Sequence, residues 1–214
     1  MATLNDWHTS AKEKGLDFEQ YIQINQLQDL KRLKESGLPS YEVLLINGPE
    51  FDSSKTKEFI SRFDMIWCRA VNNITKKRYY ELGMKNFDEF SKFLETLPSK
   101  LEDMSLQIFE FHENIFGGNI ISSEDKTIIE IAYGIQDNVS KSLTSFFHGH
   151  ITNTGRLEFC EKEVPIEMKK AALKALNYLK KTRNHYIQGY FEFSVSKEGN
   201  IFFLDYKTGF PKLI

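Results

Sequence analysis

The sequence is poor in the features that announce a specialised class. It has two cysteines, Cys68 and Cys160, and five prolines in 214 residues. Two thiols cannot build a disulfide framework, nor a zinc site by themselves. No apolar run approaches the roughly 20 residues that a membrane-crossing helix requires. The start, Met1–His8, lacks the basic region and apolar stretch of a secretory signal. Neither charge sign dominates: 28 Lys and Arg stand against 30 Asp and Glu, for a net −2. Nothing in that balance points to nucleic acid or to an anionic membrane surface. Internal repeats, low-complexity tracts and Pro/Gly-rich linkers are missing as well. Together these absences predict a reducing, cytoplasmic setting with no nucleic-acid and no membrane partner.

What is present is an ordinary globular composition, 41% hydrophobic and 27% charged, long enough to bury a good core. The 18 phenylalanines promise an aromatic-rich one. Cys68 lies in the apolar run Met65–Val71 and is expected to be a buried, inert thiol.

Along the chain, Phe18–Lys34 carries apolar residues near helical spacing, and Ser36-Gly37-Leu38-Pro39 stops it with a glycine cap and a proline beyond. Tyr41–Asn47 reads as a strand, Thr56–Phe63 as a short helix and Asp64–Val71 as a second strand. Asn86-Phe-Asp-Glu89 has capping-box spacing and opens a helix through Leu97. The texture then changes to strands: Ser105–His112, Asn119–Ser122, Thr127–Ala132 and Phe146–Ile151, with turns at Gly117-Gly118 and Ser123–Lys126. Pro165–Lys181 is a helix with Met168, Ala172, Leu176 and Leu179 on one face and lysines on the other. Gln188–Val195 and Ile201–Tyr206 close the chain as a hairpin. The reading is an α+β fold, a mostly antiparallel sheet with flanking helices. One compact domain over 1–214 is expected, with a small subdomain over 1–100 and a larger sheet subdomain over 101–214.

The hairpin carries the most chemistry. Alternation puts Tyr190, Glu192 and Ser194 on one face of its first strand and Phe191, Phe193 and Val195 on the other. A two-residue turn at Glu198-Gly199 would set Glu192 opposite Asp205, and Tyr190 opposite Lys207; a three-residue turn would break that register. Opposed carboxylates repel by up to about 1 kcal/mol, and they persist if a cation lies between them. Hard Mg²⁺ suits their oxygens; the alternative is a solvated face on which Lys207 or another base neutralises the pair.

The segment Ile187–Pro211 resembles the closing hairpin of ATP-grasp proteins, above all that of the nucleotide-binding part of pyruvate phosphate dikinase and phosphoenolpyruvate synthase. Those enzymes carry Glu on the first strand and Gln-x-Arg on the second; here Glu192 and Asp205-Tyr-Lys207 stand in those places. Leu30–Pro39 is similar to their early helix, and Ile66–Ala70 to their strand ending in a phosphate-contacting Arg. Ile115–Ser123 with Ile128–Gly134 resembles their paired strands on the nucleotide pocket. The Gly-Gly-Lys that precedes the early helix in the dikinases is absent, and Asn25-Gln26 stand near its place. The phosphohistidine domain and pyruvate-binding barrel of the complete enzymes have no room in this chain.

The resemblance implies ATP and Mg²⁺ as cofactors. Glu192 and Asp205 would hold the metal, and Arg69 and Lys207 would be the catalytic cations that neutralise phosphate. The strand Leu106–His112 would supply the adenine hinge, with Glu110, His112 and Glu113 toward base and ribose; a solvated strand end is the alternative for the last two. Glu130, a lone acid among isoleucines, faces either the pocket or solvent. His148-Gly-His150 share a face, yet no third metal ligand is evident nearby. The implied function is an ATP-dependent phosphotransferase or ligase that acts on an unknown acceptor, a small molecule or a partner protein. The alternative is a degenerate, non-catalytic module of the same fold that binds a nucleotide or a partner.

Overall fold

The computed structural model describes residues 26–124, 126–134, 146–182 and 185–208. Its helices are α1 (Gln26–Glu35), α2 (Ser53–Ile60), α3 (Phe87–Glu95) and α4 (Ile166–Leu179). Its strands are β1 (Val43–Asn47), β2 (Ile66–Asn72), β3 (Arg78–Met84), β4 (Met104–Glu110), β5 (Asn114–Ser122), β6 (Thr127–Tyr133), β7 (Phe146–Ile151), β8 (Leu157–Phe159), β9 (Gly189–Ser196) and β10 (Ile201–Lys207). The chain divides into two compact units. Tyr41–Glu113 forms one, inserted between the two segments Met1–Ser40 and Asn114–Ile214 that form the other. Both sheets are antiparallel and carry helices, so the expected α+β class is what the chain adopts. Among the described residues no helix is long and apolar enough to cross a membrane.

The inserted unit has a four-stranded sheet in the order β1-β4-β2-β3. β2 alternates as a one-sided strand must: Ile66, Cys68 and Ala70 are buried, while Trp67, Arg69 and Val71 are partly exposed. The buried set joins Phe59 and Ile60 of α2 and Phe90 and Phe93 of α3 in one core. Both helices start on side-chain caps. Asp52 accepts from the backbone N–H groups of Ser54 and Lys55. Asn86 accepts from Glu89 N at 2.9 Å, and Glu89 reaches back to Lys85 N at 2.8 Å, one residue beyond the usual capping-box partner. β3 lies where the sequence suggests no element. It is an edge strand, and Tyr80 and Leu82 on it are about half exposed, so its pattern lacks the polar alternation that marks a half-buried strand. The ends of this unit meet: Tyr41 stacks on His112 with ring centroids 5.7 Å apart, and Glu110 N donates to Glu42 O at 3.0 Å.

The other unit holds a six-stranded sheet in the order β10-β9-β5-β6-β7-β8. α4 packs on it through Met168, Ala172, Leu176 and Leu179, as its periodicity predicts, against Ile120, Ile129, Ile131, Phe191, Phe193 and Phe203. Each such phenylalanine contributes on the order of 1.5–3 kcal/mol by leaving water. α1 ends at Glu35, and Gly37 takes a φ of 70° there, the left-handed cap that glycine reaches without strain. The start expected for that helix, at Phe18, lies outside the described residues. β8 is a three-residue strand that the sequence does not signal.

One expected turn is corrected. Gly117-Gly118 lie inside β5, paired with Ala132 and Ile131 of β6 and with Ser194 and Phe193 of β9. A Cβ at Gly118 would collide with the Phe193 ring and come within 2.5 Å of the Glu130 carbonyl. The glycine is there for close approach and not for a turn.

The closing hairpin reaches the expected register by an unexpected route. Ser196 N donates to Asn200 O, so the turn holds three residues, Lys197, Glu198 and Gly199, with Gly199 at φ 78°. That offset alone would misplace the acids. A bulge between Phe203 and Asp205 shifts the ladder by one more residue, which restores Glu192 opposite Asp205 and Tyr190 opposite Lys207.

Candidate functional site

The sheet face opposite α4 carries a polar row perpendicular to the strands. Asp205 pairs with Glu192, Glu192 with Asn119, Asn119 with Glu130, and Glu130 with His148. Each residue is the direct cross-strand neighbour of the next, so five strands contribute one side chain apiece. Asn119 and Glu130 are buried, while Asp205, Glu192 and His148 are partly exposed. Burying carboxylates and an ammonium is costly unless they find partners.

The partners are specific. Lys207, 3% exposed, donates from Nζ to Asp205 Oδ2 at 2.5 Å, and its ammonium lies 5.3 Å from the centre of the Tyr190 ring. The Tyr190 hydroxyl donates to Glu192 Oε1 at 2.8 Å and lies 3.2 Å from Asn119 Oδ1. Burial raises the Tyr190 pKa well above its ordinary value, and the carboxylates of Glu192, Asp205 and Glu130 add to that rise. The phenol therefore stays a donor. At the other end of the row, His148 Nε2 is 3.7 Å from Glu130 Oε1 and Nδ1 is 2.9 Å from Glu161 Oε1. Burial alone would raise the Glu161 pKa, but hydrogen bonds from the ring and backbone of His148 outweigh it and hold the carboxyl below its ordinary value.

Of the residues read from the sequence, Glu192, Asp205, Lys207 and Glu130 fall together on this face. The other four belong to the inserted unit. Arg69, on β2, donates to Gln107 Oε1 at 3.3 Å and lies over the rings of Trp67 and Tyr80. Glu110 ends β4; its Oε1 is 2.5 Å from His112 Nε2, and its Oε2 accepts from Glu42 N at 3.0 Å. Glu113 is exposed where β5 is about to begin. His148 and His150 share a face, but the His148 ring is engaged by Glu130 and Glu161. Among the described residues no three His, Cys, Asp or Glu side chains gather as a metal-ligand set.

Sequence reasoning gave no role to three members of the row and its surroundings. Alternation puts Tyr190 beside Glu192, a signal that was available. Asn119 follows two glycines that read as a turn. Glu161 lies beyond β8 and carries no local signal at all.

No family model matches the sequence, and no curated protein matches it. Several solved structures are similar. The macrocyclase MdnC bound with precursor peptide MdnA, from Microcystis aeruginosa, is 13% identical over 87% of this chain and 53% of that one, with a TM-score of 0.44. D-alanyl-alanine synthetase A from Vibrio cholerae is 10% identical over 87% and 56%, with a TM-score of 0.46. A RiPP-associated ATP-grasp ligase from Chryseobacterium gregarium, in complex with ADP and a leader and core peptide, is 13% identical over 87% and 52%, with a TM-score of 0.45. The chain spans about half the length of each.

Proposed function

We propose that this protein binds Mg-ATP at the polar row and transfers or activates phosphate on a separate acceptor, in the manner of ATP-grasp enzymes. The observation that carries the reading is the row itself. Three carboxylates and one ammonium lie on a sheet face where Asn119, Glu130 and Lys207 are all buried. Such a concentration of charge, partly buried and on one face, makes the row a functional-site candidate. It also coincides with the hairpin whose residues resemble the ATP-grasp nucleotide site.

In this reading Lys207 meets the phosphates, since an ammonium has three donors and Asp205 takes one. The resemblance assigns both Glu192 and Asp205, opposed on adjacent strands, to Mg²⁺; Glu192 offers the ion hard oxygen, while Asp205 is already held by Lys207. The ion would supply neutralisation of phosphate charge. Tyr190 orients Glu192 through its hydroxyl. The resemblance further assigns Arg69 to phosphate and Glu110, His112 and Glu113 to the base and ribose. It also points to the dikinases as the nearest pattern.

The test is a melting experiment with and without Mg-ATP. A ligand bound only by the native state, at a hundred times its Kd, stabilises it by about 2.7 kcal/mol, so wild type should melt higher. Glu192→Gln should lose the Mg²⁺-dependent part of that shift and keep its fold. Arg69→Ala should lower turnover by on the order of a hundredfold, as loss of one electrostatic stabiliser does. ATP binding without turnover would return the non-catalytic nucleotide-binding alternative, and no shift with ATP would overturn both nucleotide readings and leave the partner-binding module.

A further inference from the structure

Lys207 is held from two sides. Its ammonium is 2.5 Å from Asp205 and faces the Tyr190 ring at 5.3 Å. The hydroxyl of that same tyrosine donates to Glu192 at 2.8 Å. One buried side chain thus presents its aromatic face to the cation and its phenol to the neighbouring carboxylate. The register fixes all four: Tyr190 lies opposite Lys207, and Glu192 lies opposite Asp205. The Lys207 and Asp205 side chains are only 4% and 14% exposed, so water cannot readily replace either partner.

An ammonium and a divalent ion compete for the same carboxylate. Both need its lone pairs, and their like charges repel at short range. Asp205 already carries a cation bound at hydrogen-bond distance and tethered to the same strand. Breaking a buried ion pair is unfavourable because it strands the other charge. Resting on the nucleotide reading above, we propose that Lys207 is the permanent cation of this row. It withdraws Asp205 from the ligand set of a divalent metal, and the protein holds such an ion tightly only together with a nucleotide polyphosphate. Two opposed carboxylates would hold an ion in advance; with one of them neutralised, phosphate oxygens must complete the shell.

The experiment counts Mn²⁺ bound to the full chain by electron paramagnetic resonance, with and without ADP. Without nucleotide, wild type should retain Mn²⁺ weakly, and Lys207→Met should bind it at least about tenfold more tightly, because affinity follows the ligand charge count. The double variant Lys207→Met/Asp205→Asn should lose the gain. Wild type that binds Mn²⁺ without nucleotide as tightly as Lys207→Met would overturn the proposal, and so would a gain that survives in the double variant. If Lys207→Met unfolds, refolding on addition of Mn²⁺, followed by circular dichroism, supports the proposal; failure to refold counts against it. If ADP changes neither wild-type Mn²⁺ uptake nor melting, the nucleotide reading falls. The gain in Lys207→Met and its loss in the double variant would still decide the role of Lys207.

Discussion

The two thiols behave oppositely, and each consequence can be measured. Burial pushes the Cys68 thiol from 9.0 up to about 12, against smaller lowering effects from a Gln107 backbone hydrogen bond and the Arg69 charge. Cys160 is exposed, although burial of part of its surface and the nearby Glu161 also raise it. A thiol reagent at pH 8 should therefore label one site per native chain, Cys160, and two per unfolded chain. Cys68 keeps a proton in the folded state that the unfolded state loses. Its contribution is complete below pH 9 and disappears between pH 9 and 12, by up to about 1.4 kcal/mol per pH unit. Denaturant unfolding across that range should show the decline, and Cys68→Ala should flatten it. The inertness of Cys68 was readable from its apolar neighbours, because burial follows local hydrophobic pattern. The Lys207–Asp205 contact was foreseen only as one of two ways to neutralise the pair, since alternation gives the face of a side chain and not its partner.

Among the elements, those with strong local signals were legible. The glycine stop of α1, the Asn86 cap of α3 and the apolar stripe of α4 each depend on residues within a few positions of one another. β3 and β8 were not, because a short or edge strand owes its existence to pairing with distant chain. β5 shows the same limit at Gly118, where a glycine that looks like a turn serves the Phe193 ring of the next strand. Gly118→Ala should cost about 1–3 kcal/mol, the usual penalty for overpacking a core, and the midpoint of urea unfolding should fall without a change in slope. An unchanged midpoint would mean that the Phe193 ring and the Glu130 backbone can both move aside. The hairpin register was read correctly although its turn was not: the burial of Phe191, Phe193, Phe203 and Tyr206 constrains the pairing from both ends, and the bulge absorbs the odd residue of the turn.

At the scale of the molecule, the boundaries of the two units were not legible in the sequence. The change to strand texture suggests a division near residue 100 and not an insert over 41–113. Composition does not change at residue 40 or at 113, and no linker marks either junction, so nothing local reports that 41–113 has its own core. That core is nonetheless contiguous, from Ile46 to Ile108, and a unit with its own core is able to fold alone. Residues 41–113 expressed by themselves should therefore give a cooperative thermal transition, and a gradual, featureless melt would refute their autonomy. The stack of Tyr41 on His112 has a further consequence. The chain leaves the six-stranded unit and comes back to it through neighbouring rings, so the whole insert acts for that unit as a short loop. The entropy of closing a loop grows only with the logarithm of its length, and here the insert's own packing has already met that cost. A few Gly-Ser residues in place of 41–113 should join β5 to the chain that precedes it at little entropic expense.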